Sequence, residues 1–108
     1  MKKTLALCTP IPEKMMEFIK NVCDVTICGE LKHGKGNATE EMTREECKNH
    51  ELVVLGDEYA GSETIQDWVN SGMKFIGVAK GTPATVDYTA IADAGLEILT
   101  IFIHLNDS

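Results

Sequence analysis

Residues 73 to 99 read MKFIGVAKGTPATVDYTAIADAGLEIL, and this stretch decides the fold. It opens as an apolar strand, Phe75 to Val78, and breaks at Lys80-Gly81-Thr82-Pro83. It resumes as a helix that opens at Val86-Asp87, where Asp87 places an acceptor before the first helical N–H groups. That helix reads from Tyr88 to Ala94, Gly95 ends it, and a further apolar run extends from Leu96 to Ile103. Strand, short glycine-bearing loop, helix and strand in so short a span form the repeating unit of a parallel α/β sheet.

Working outward, the same alternation fills the rest of the chain. Thr4 to Cys8 is a short apolar run. Pro12 to Cys23 comes next, with Met15, Phe18, Ile19 and Val22 at helical spacing and Pro12 suited to a first helical turn. Val25 to Cys28 reads as a strand that Gly29 ends. Residues 30–42 are polar, contain Gly34 and Gly36, and carry no periodicity, which makes them the longest loop. Thr43-Arg44-Glu45-Glu46 has the form of a capping box, with a short helix through Lys48 after it. Leu52 to Leu55 is a continuous apolar run of the kind a strand buried on both faces requires. Ser62 to Asn70 reads as an N-capped helix with Ile65, Trp68 and Val69 on one face, and Ser71-Gly72 ends it.

The expected fold is therefore α/β: a flavodoxin-like, doubly wound parallel sheet of about five strands with helices on both faces. In such sheets ligands bind beyond the carboxyl ends of the strands. That edge would collect Cys8 to Pro10, Gly56 to Tyr59 and Ala79 to Pro83. Asp57, Glu58 and Tyr59 are read either as functional or as capping groups for the next turn. His33 and His50 are expected to be solvated, and Trp68 to pack in the core.

The chain has 108 residues, enough for one domain with a single core. Its net charge is −7, from 17 acidic and 10 basic side chains, with no Lys/Arg cluster of the kind phosphate backbones need; nucleic acid is excluded as an expected partner. No window approaches the roughly 18 apolar residues that cross a membrane. The N-terminal MKKTLALCTPIP has two lysines before an apolar run, but Leu5 to Cys8 is shorter than a signal-peptide core, and Pro10 and Pro12 interrupt its continuation. It reads as a first buried strand, and the expected location is cytoplasmic.

Four cysteines, Cys8, Cys23, Cys28 and Cys47, sit at the ends of apolar runs or in helical patterns, as reduced buried thiols do. Cys23 and Cys28 with His33 match no paired-ligand zinc spacing, so no metal site is expected.

The loop at Lys80 to Pro83 has two readings from its residues alone. Gly81 permits close backbone approach, Pro83 fixes the exit, and a strand-to-helix loop at the ligand edge presents N–H groups to an anion. The same residues also make an ordinary tight turn.

The stretch resembles the end of the N-terminal lobe of D-isomer-specific 2-hydroxyacid dehydrogenases, the family that includes phosphoglycerate dehydrogenase. There a Leu-Lys-x-Ile strand leads to Ala-Arg-Gly-Gly-Pro and an Asn-Val-Asp helix start, with an Ala pair and a Gly before the next strand. Here Met73-Lys74-Phe75-Ile76, Ala79-Lys80-Gly81-Thr82-Pro83, Thr85-Val86-Asp87, Ala90, Ala92 and Gly95 fall in the corresponding places. The resemblance implies that backbone amides of Lys80, Gly81 and Thr82, closed by Pro83, bind the carboxylate of a small 2-hydroxy or 2-oxo acid. Lys80 stands where the family has Arg and gives a point charge in place of a bidentate fork; Thr82 stands where it has Gly. It further implies an oxidoreductase that uses NAD in the complete enzyme.

The family continues with a Thr-Pro-Gly turn into a nucleotide-binding domain, whereas this chain continues Thr100-Ile101-Phe102-Ile103-His104 to Ser108. There is no GxGxxG; Gly34-Lys35-Gly36 is a lone GxG with no strand before it. Residues 1–108 are thus expected to form a single lobe with the nucleotide-binding domain and the catalytic Arg, Glu and His absent, no catalytic residue of its own, no cofactor bound alone and no dehydrogenase activity alone.

Three alternatives use the same fold. Cys8 at the end of the first strand is similar to the nucleophilic cysteine of sugar-phosphotransferase IIB phosphocarriers, although Pro10 and Pro12 remove two donors that a phosphate would use. A receiver domain needs an acidic cluster where Cys8-Thr9-Pro10 stands and a Lys after the fifth strand. A non-catalytic interaction module would use the apolar tail from Ile98 to Leu105, which reads first as a fifth buried strand and second as a surface for a homodimer.

Overall fold

The computed structural model describes residues 2–78, 87–93, 95 and 97–100. In chain order the elements are β1 (Lys3–Leu7), α1 (Glu13–Val22), β2 (Cys23–Ile27), α2 (Gly29–His33), α3 (Glu40–Cys47), β3 (Leu52–Leu55), α4 (Ser62–Asn70), β4 (Phe75–Val78), α5 (Tyr88–Asp93) and β5 (Glu97–Thr100). All five strands lie in one sheet in the order β2-β1-β3-β4-β5, and every pairing is parallel. The expected doubly wound, flavodoxin-like sheet of five strands is what forms.

The register explains the core. Ala6 pairs with Val53, Val53 with Ile76, and Leu55 with Val78. Because side chains alternate along a strand, these residues share one face with Cys8. Ile65 and Trp68 of α4, Cys47 of α3 and Ile91 of α5 close over that face, all fully buried. Each large apolar side chain so buried contributes roughly 1.5–3 kcal/mol. The Trp68 indole donates its Nε1–H to the Arg44 carbonyl at 3.0 Å, so its polar atom is satisfied inside the core.

Leu5 and Leu7, buried as well, point to the other face. Helix α1 packs along β2, yet it has no buried residue. The apolar stripe read from its spacing faces outward: Phe18 is 66% exposed and Val22 49%. Periodicity located the helix correctly but does not specify what covers its apolar side.

Three local expectations are corrected. The helix after the long loop begins four residues earlier than the capping-box pattern indicates. Its cap is Thr39, whose hydroxyl accepts from Met42 N at 3.2 Å, while Thr43 is buried in mid-helix. Glu46, the supposed reciprocal partner, reaches instead across to α2. Part of the loop over residues 30–42 is itself that short helix, α2. Cys23 is not helical; it is the first residue of β2, which starts without a connecting loop after Val22.

Helix α4 has the expected span, but its cap position is Gly61 and makes no side-chain hydrogen bond. Glu40 of α3 does the work from outside, accepting from Gly61 N at 2.9 Å and from the Thr64 hydroxyl at 2.7 Å. Asp87 caps as read, its Oδ1 accepting from Ala90 N at 3.0 Å. Gly95 comes after α5 with φ +76°, where glycine is the favoured residue. The expected run Leu96 to Ile103 is a strand over Glu97–Thr100; its last three residues lie outside the described ones.

Candidate functional site

The strand order reverses between β1 and β3: the chain moves from β1 outward to β2, then returns to place β3 on the other flank of β1. Loops leaving the two central strands diverge there and open a crevice at the carboxyl edge. A cavity of about 260 Å³ occupies this place. Its wall includes Cys8, Thr9 and Pro10 from the end of β1, Gly56 and Asp57 from the end of β3, and Lys35 beyond α2. Two of the three segments expected at the functional edge are thus brought together. The third, with the expected carboxylate-binding residues Lys80, Gly81, Thr82 and Pro83, lies outside the described residues.

Close packing shapes the floor. A side chain at Gly56 would put its Cβ 2.9 Å from Thr9 Cβ and 3.0 Å from Thr9 Oγ1, so the ends of β1 and β3 approach as closely as they do only because residue 56 is glycine. Thr9 is 3% exposed.

Glu58 holds the edge together. It is 4% exposed; its Oε1 accepts from Gly56 N at 2.8 Å and its Oε2 from Glu30 N at 2.9 Å. One carboxylate therefore folds back on its own loop and also caps the start of α2. A buried carboxylate is tolerated when such donors replace its water. These bonds run back to Gly56 and across to α2, not to the next turn that the sequence suggested for this residue. Asp57 and Tyr59 beside it are exposed.

The start of α2 has a second anionic partner. Glu46 Oε1 accepts from Gly29 N at 2.9 Å, and its Oε2 lies 2.5 Å from His33 Nε2 and 3.6 Å from Lys32 Nζ. Partial burial pushes the Glu46 carboxyl up, but His33, the Gly29 N–H and Lys32 outweigh it and hold it below the usual carboxylate range. His33 is accordingly half-buried and paired, where the sequence suggested solvation. His50 Nδ1 likewise lies 3.1 Å from the Cys47 carbonyl and 3.0 Å from that of Lys48. The first two amides of α2 are thus occupied by the protein's own carboxylates. Among the described residues the cavity lining includes the cationic Lys35 together with the acidic Glu30 and Asp57.

Behind the cavity three thiols converge. Cys8 Sγ and Cys47 Sγ are 3.5 Å apart, and Cys28 Sγ faces the Thr26 and Glu46 carbonyls at 3.7 and 3.6 Å. All three are buried and unbridged. Cys47 and burial push the Cys28 thiol up. Cys28 itself pulls Cys47 down, but Cys8 and burial prevail and leave it raised. The sequence put Cys8 and Cys28 at the ends of apolar runs and Cys47 in a helical pattern but had no means of showing that they meet.

Glu40 was not distinguished by sequence, and Glu46 and Glu58 were singled out for other partners, although each of the three caps a helix start in a distant segment. A cap supplied from elsewhere in the chain leaves no local motif. A glycine at each of two helix starts, Gly29 as the first residue of α2 and Gly61 at the cap of α4, is the trace: a helix start without its own Ser, Thr, Asp or Asn needs a donated acceptor.

No known family model and no curated protein matches the chain. Solved structures do. A D-isomer specific, NAD-binding 2-hydroxyacid dehydrogenase from Polaromonas superimposes with TM-score 0.74 at 16% identity, over 91% of this chain and 30% of that one. The pyruvate reductase of Chlamydomonas reinhardtii gives 0.63 at 16% identity, over 93% and 29%. A D-isomer specific 2-hydroxyacid dehydrogenase from Lactobacillus delbrueckii ssp. bulgaricus, in its NAD-complexed form, gives 0.63 at 17% identity, over 94% and 30%. The resemblance read from residues 73–99 therefore holds for the fold. The chain spans less than a third of the length of these dehydrogenases.

Proposed function

We propose that this chain is the substrate-side lobe of an NAD-dependent D-2-hydroxyacid dehydrogenase and binds the carboxylate of a 2-hydroxy or 2-oxo acid. The observation that carries this reading is a coincidence of place. Strand β4 ends on the same carboxyl edge as β1 and β3, whose loops form the cavity, and the residues that come after it in the sequence are those that resemble the family's substrate loop. What supports it further is the superposition of almost the whole chain on enzymes of that description.

In such a lobe the protein's contribution is positioning. Backbone amides of Lys80 to Thr82 would hold the carboxylate, and the Lys80 ammonium would add charge without the geometric demand of a guanidinium. NAD supplies hydride chemistry when the complete enzyme holds it. The acid and base groups for that step are assigned to no residue of this chain.

Calorimetric titration with pyruvate and with its uncharged amide tests the proposal. Saturable binding of the acid alone, weakened at least several-fold by Lys80→Ala, is the expected result. Equal heats from acid and amide, or none from either, would overturn it. NADH oxidation with a panel of 2-oxo acids should show no turnover by the 108 residues alone.

A further inference from the structure

We propose that Cys8 and Cys47 are a redox modification site, at which hydrogen peroxide converts the two thiols into a disulfide joining the end of β1 to the end of α3. The two sulfurs come from segments 39 positions apart and lie 3.5 Å from one another in the core. Bond formation requires them to close to about 2.05 Å, a small movement for side chains already in contact. Cys8 belongs to the wall of the 260 Å³ cavity, whereas Cys47 lies behind it and is 0% exposed. Cys8 is itself 2% exposed, so of the pair it is the residue in the cavity lining, through a core-packed side chain. A peroxide is little larger than water, whose share of liquid volume is about 30 Å³, so the cavity admits it.

Space for the reaction is also shaped by glycine. A Cβ at Gly29 would lie 3.1 Å from Cys8 Sγ, so the absence of a side chain there leaves the sulfur its position between β2 and α3. Cys28, the third thiol, is directed at two backbone carbonyls. Cys23, at the start of β2, stands apart from the group and is half-buried.

The chemistry balances as two displacements. Cys8 sulfur attacks one peroxide oxygen; the S–O bond forms, the O–O bond breaks, and the departing hydroxide leaves as water with the thiol proton. Cys47 sulfur then attacks Cys8 sulfur; the S–S bond forms, the S–O bond breaks, and a second water leaves with the Cys47 proton. Two thiols lose two electrons in total, and the peroxide gains them.

The test is peroxide treatment of the folded chain, alkylation of remaining thiols after denaturation, and tryptic mapping without reductant. Trypsin separates the partners: Thr4 to Lys14 carries Cys8, Glu45 to Lys48 carries Cys47, and Asn21 to Lys32 carries both Cys23 and Cys28. The expected product is the first peptide linked to the second, lost on treatment with dithiothreitol and unchanged in a Cys23→Ser variant. Cys47→Ser should leave Cys8 as a sulfenic or sulfinic acid with no link. The proposal is overturned if both thiols remain alkylatable at peroxide levels that oxidise free glutathione, if Cys8 in the native chain stops at an oxyacid, or if the link runs through the peptide from Asn21 to Lys32.

Discussion

The Glu58 carboxylate occupies the ground that a side chain at Gly29 would need: a Cβ there would stand 2.8 Å from Glu58 Oε2. Gly29 has φ +57°, so residue 29 is restricted twice, by its backbone and by its neighbour. Glu58 cannot step aside without releasing the amides of Gly56 and Glu30.

Gly29→Ala should therefore destabilise the fold. A left-handed non-glycine residue costs roughly 1–2 kcal/mol by itself, and crowding against Glu58 and Cys8 adds to it. Gly36→Ala, also at positive φ but with nothing within 4 Å of its added Cβ, should cost less. Urea denaturation of both variants measures the difference; equal losses would show that the contact with Glu58 has no consequence.

Glu58→Ala strips the acceptor from two amides at once, one of them within a buried hydrogen bond. Each buried group left unsatisfied costs about 1–3 kcal/mol, so a loss of at least ~2 kcal/mol is expected. Glu58→Gln retains one acceptor oxygen and should lose less. The order native, Gln, Ala in denaturant midpoint is the observable.

Glu46 gives the stability a pH signature. Its carboxyl is held below its ordinary 4.5 in the folded chain. The folded state therefore binds this proton less readily than the unfolded state, and the stabilisation is complete above about pH 4.5 and disappears as pH falls through the lower folded value. Glu46→Gln should be less stable than the native chain at about pH 7, and the gap should narrow on the acid side. A gap that stays constant from neutral pH down to about pH 3 would contradict the assignment.

Thr43 offers a gain. Among the described residues its hydroxyl oxygen is buried with no hydrogen-bond partner. Thr43→Val keeps the shape and removes the unmet polar group, so stability should rise by about 1 kcal/mol. Thermal unfolding would reveal a hidden partner as a fall in midpoint.

These sites also mark where the sequence was legible. Phe75 to Val78, Leu52 to Leu55 and the Asp87 cap were readable because each rests on neighbours in the chain: an apolar run, a turn, an acceptor placed before free amides. Thr39 and Thr43 stand one turn apart in the same polar segment, and local pattern favoured the wrong one. The deciding fact was that Glu46 is drawn away to Gly29 and His33, a contact made only once α2 and α3 are side by side. The same holds at the candidate site. Cys8 to Pro10 and Gly56 to Tyr59 could be assigned to one edge from strand order, whereas the bonding of Glu58 and the meeting of Cys8 with Cys47 depend on tertiary packing. The outward stripe of α1, with Phe18 largely exposed, carries the periodicity of a buried helix face and could not be told from one.

The most direct measurement is an amide-resolved NMR titration of the ¹⁵N-labelled chain with pyruvate, with its uncharged amide as control. Chemical-shift changes concentrated at Lys80, Gly81 and Thr82, extending to Gly56 and Asp57 and absent with the amide, are the predicted result. Changes scattered over surface lysines, or centred away from the carboxyl edge of the sheet, would contradict a carboxylate-binding lobe.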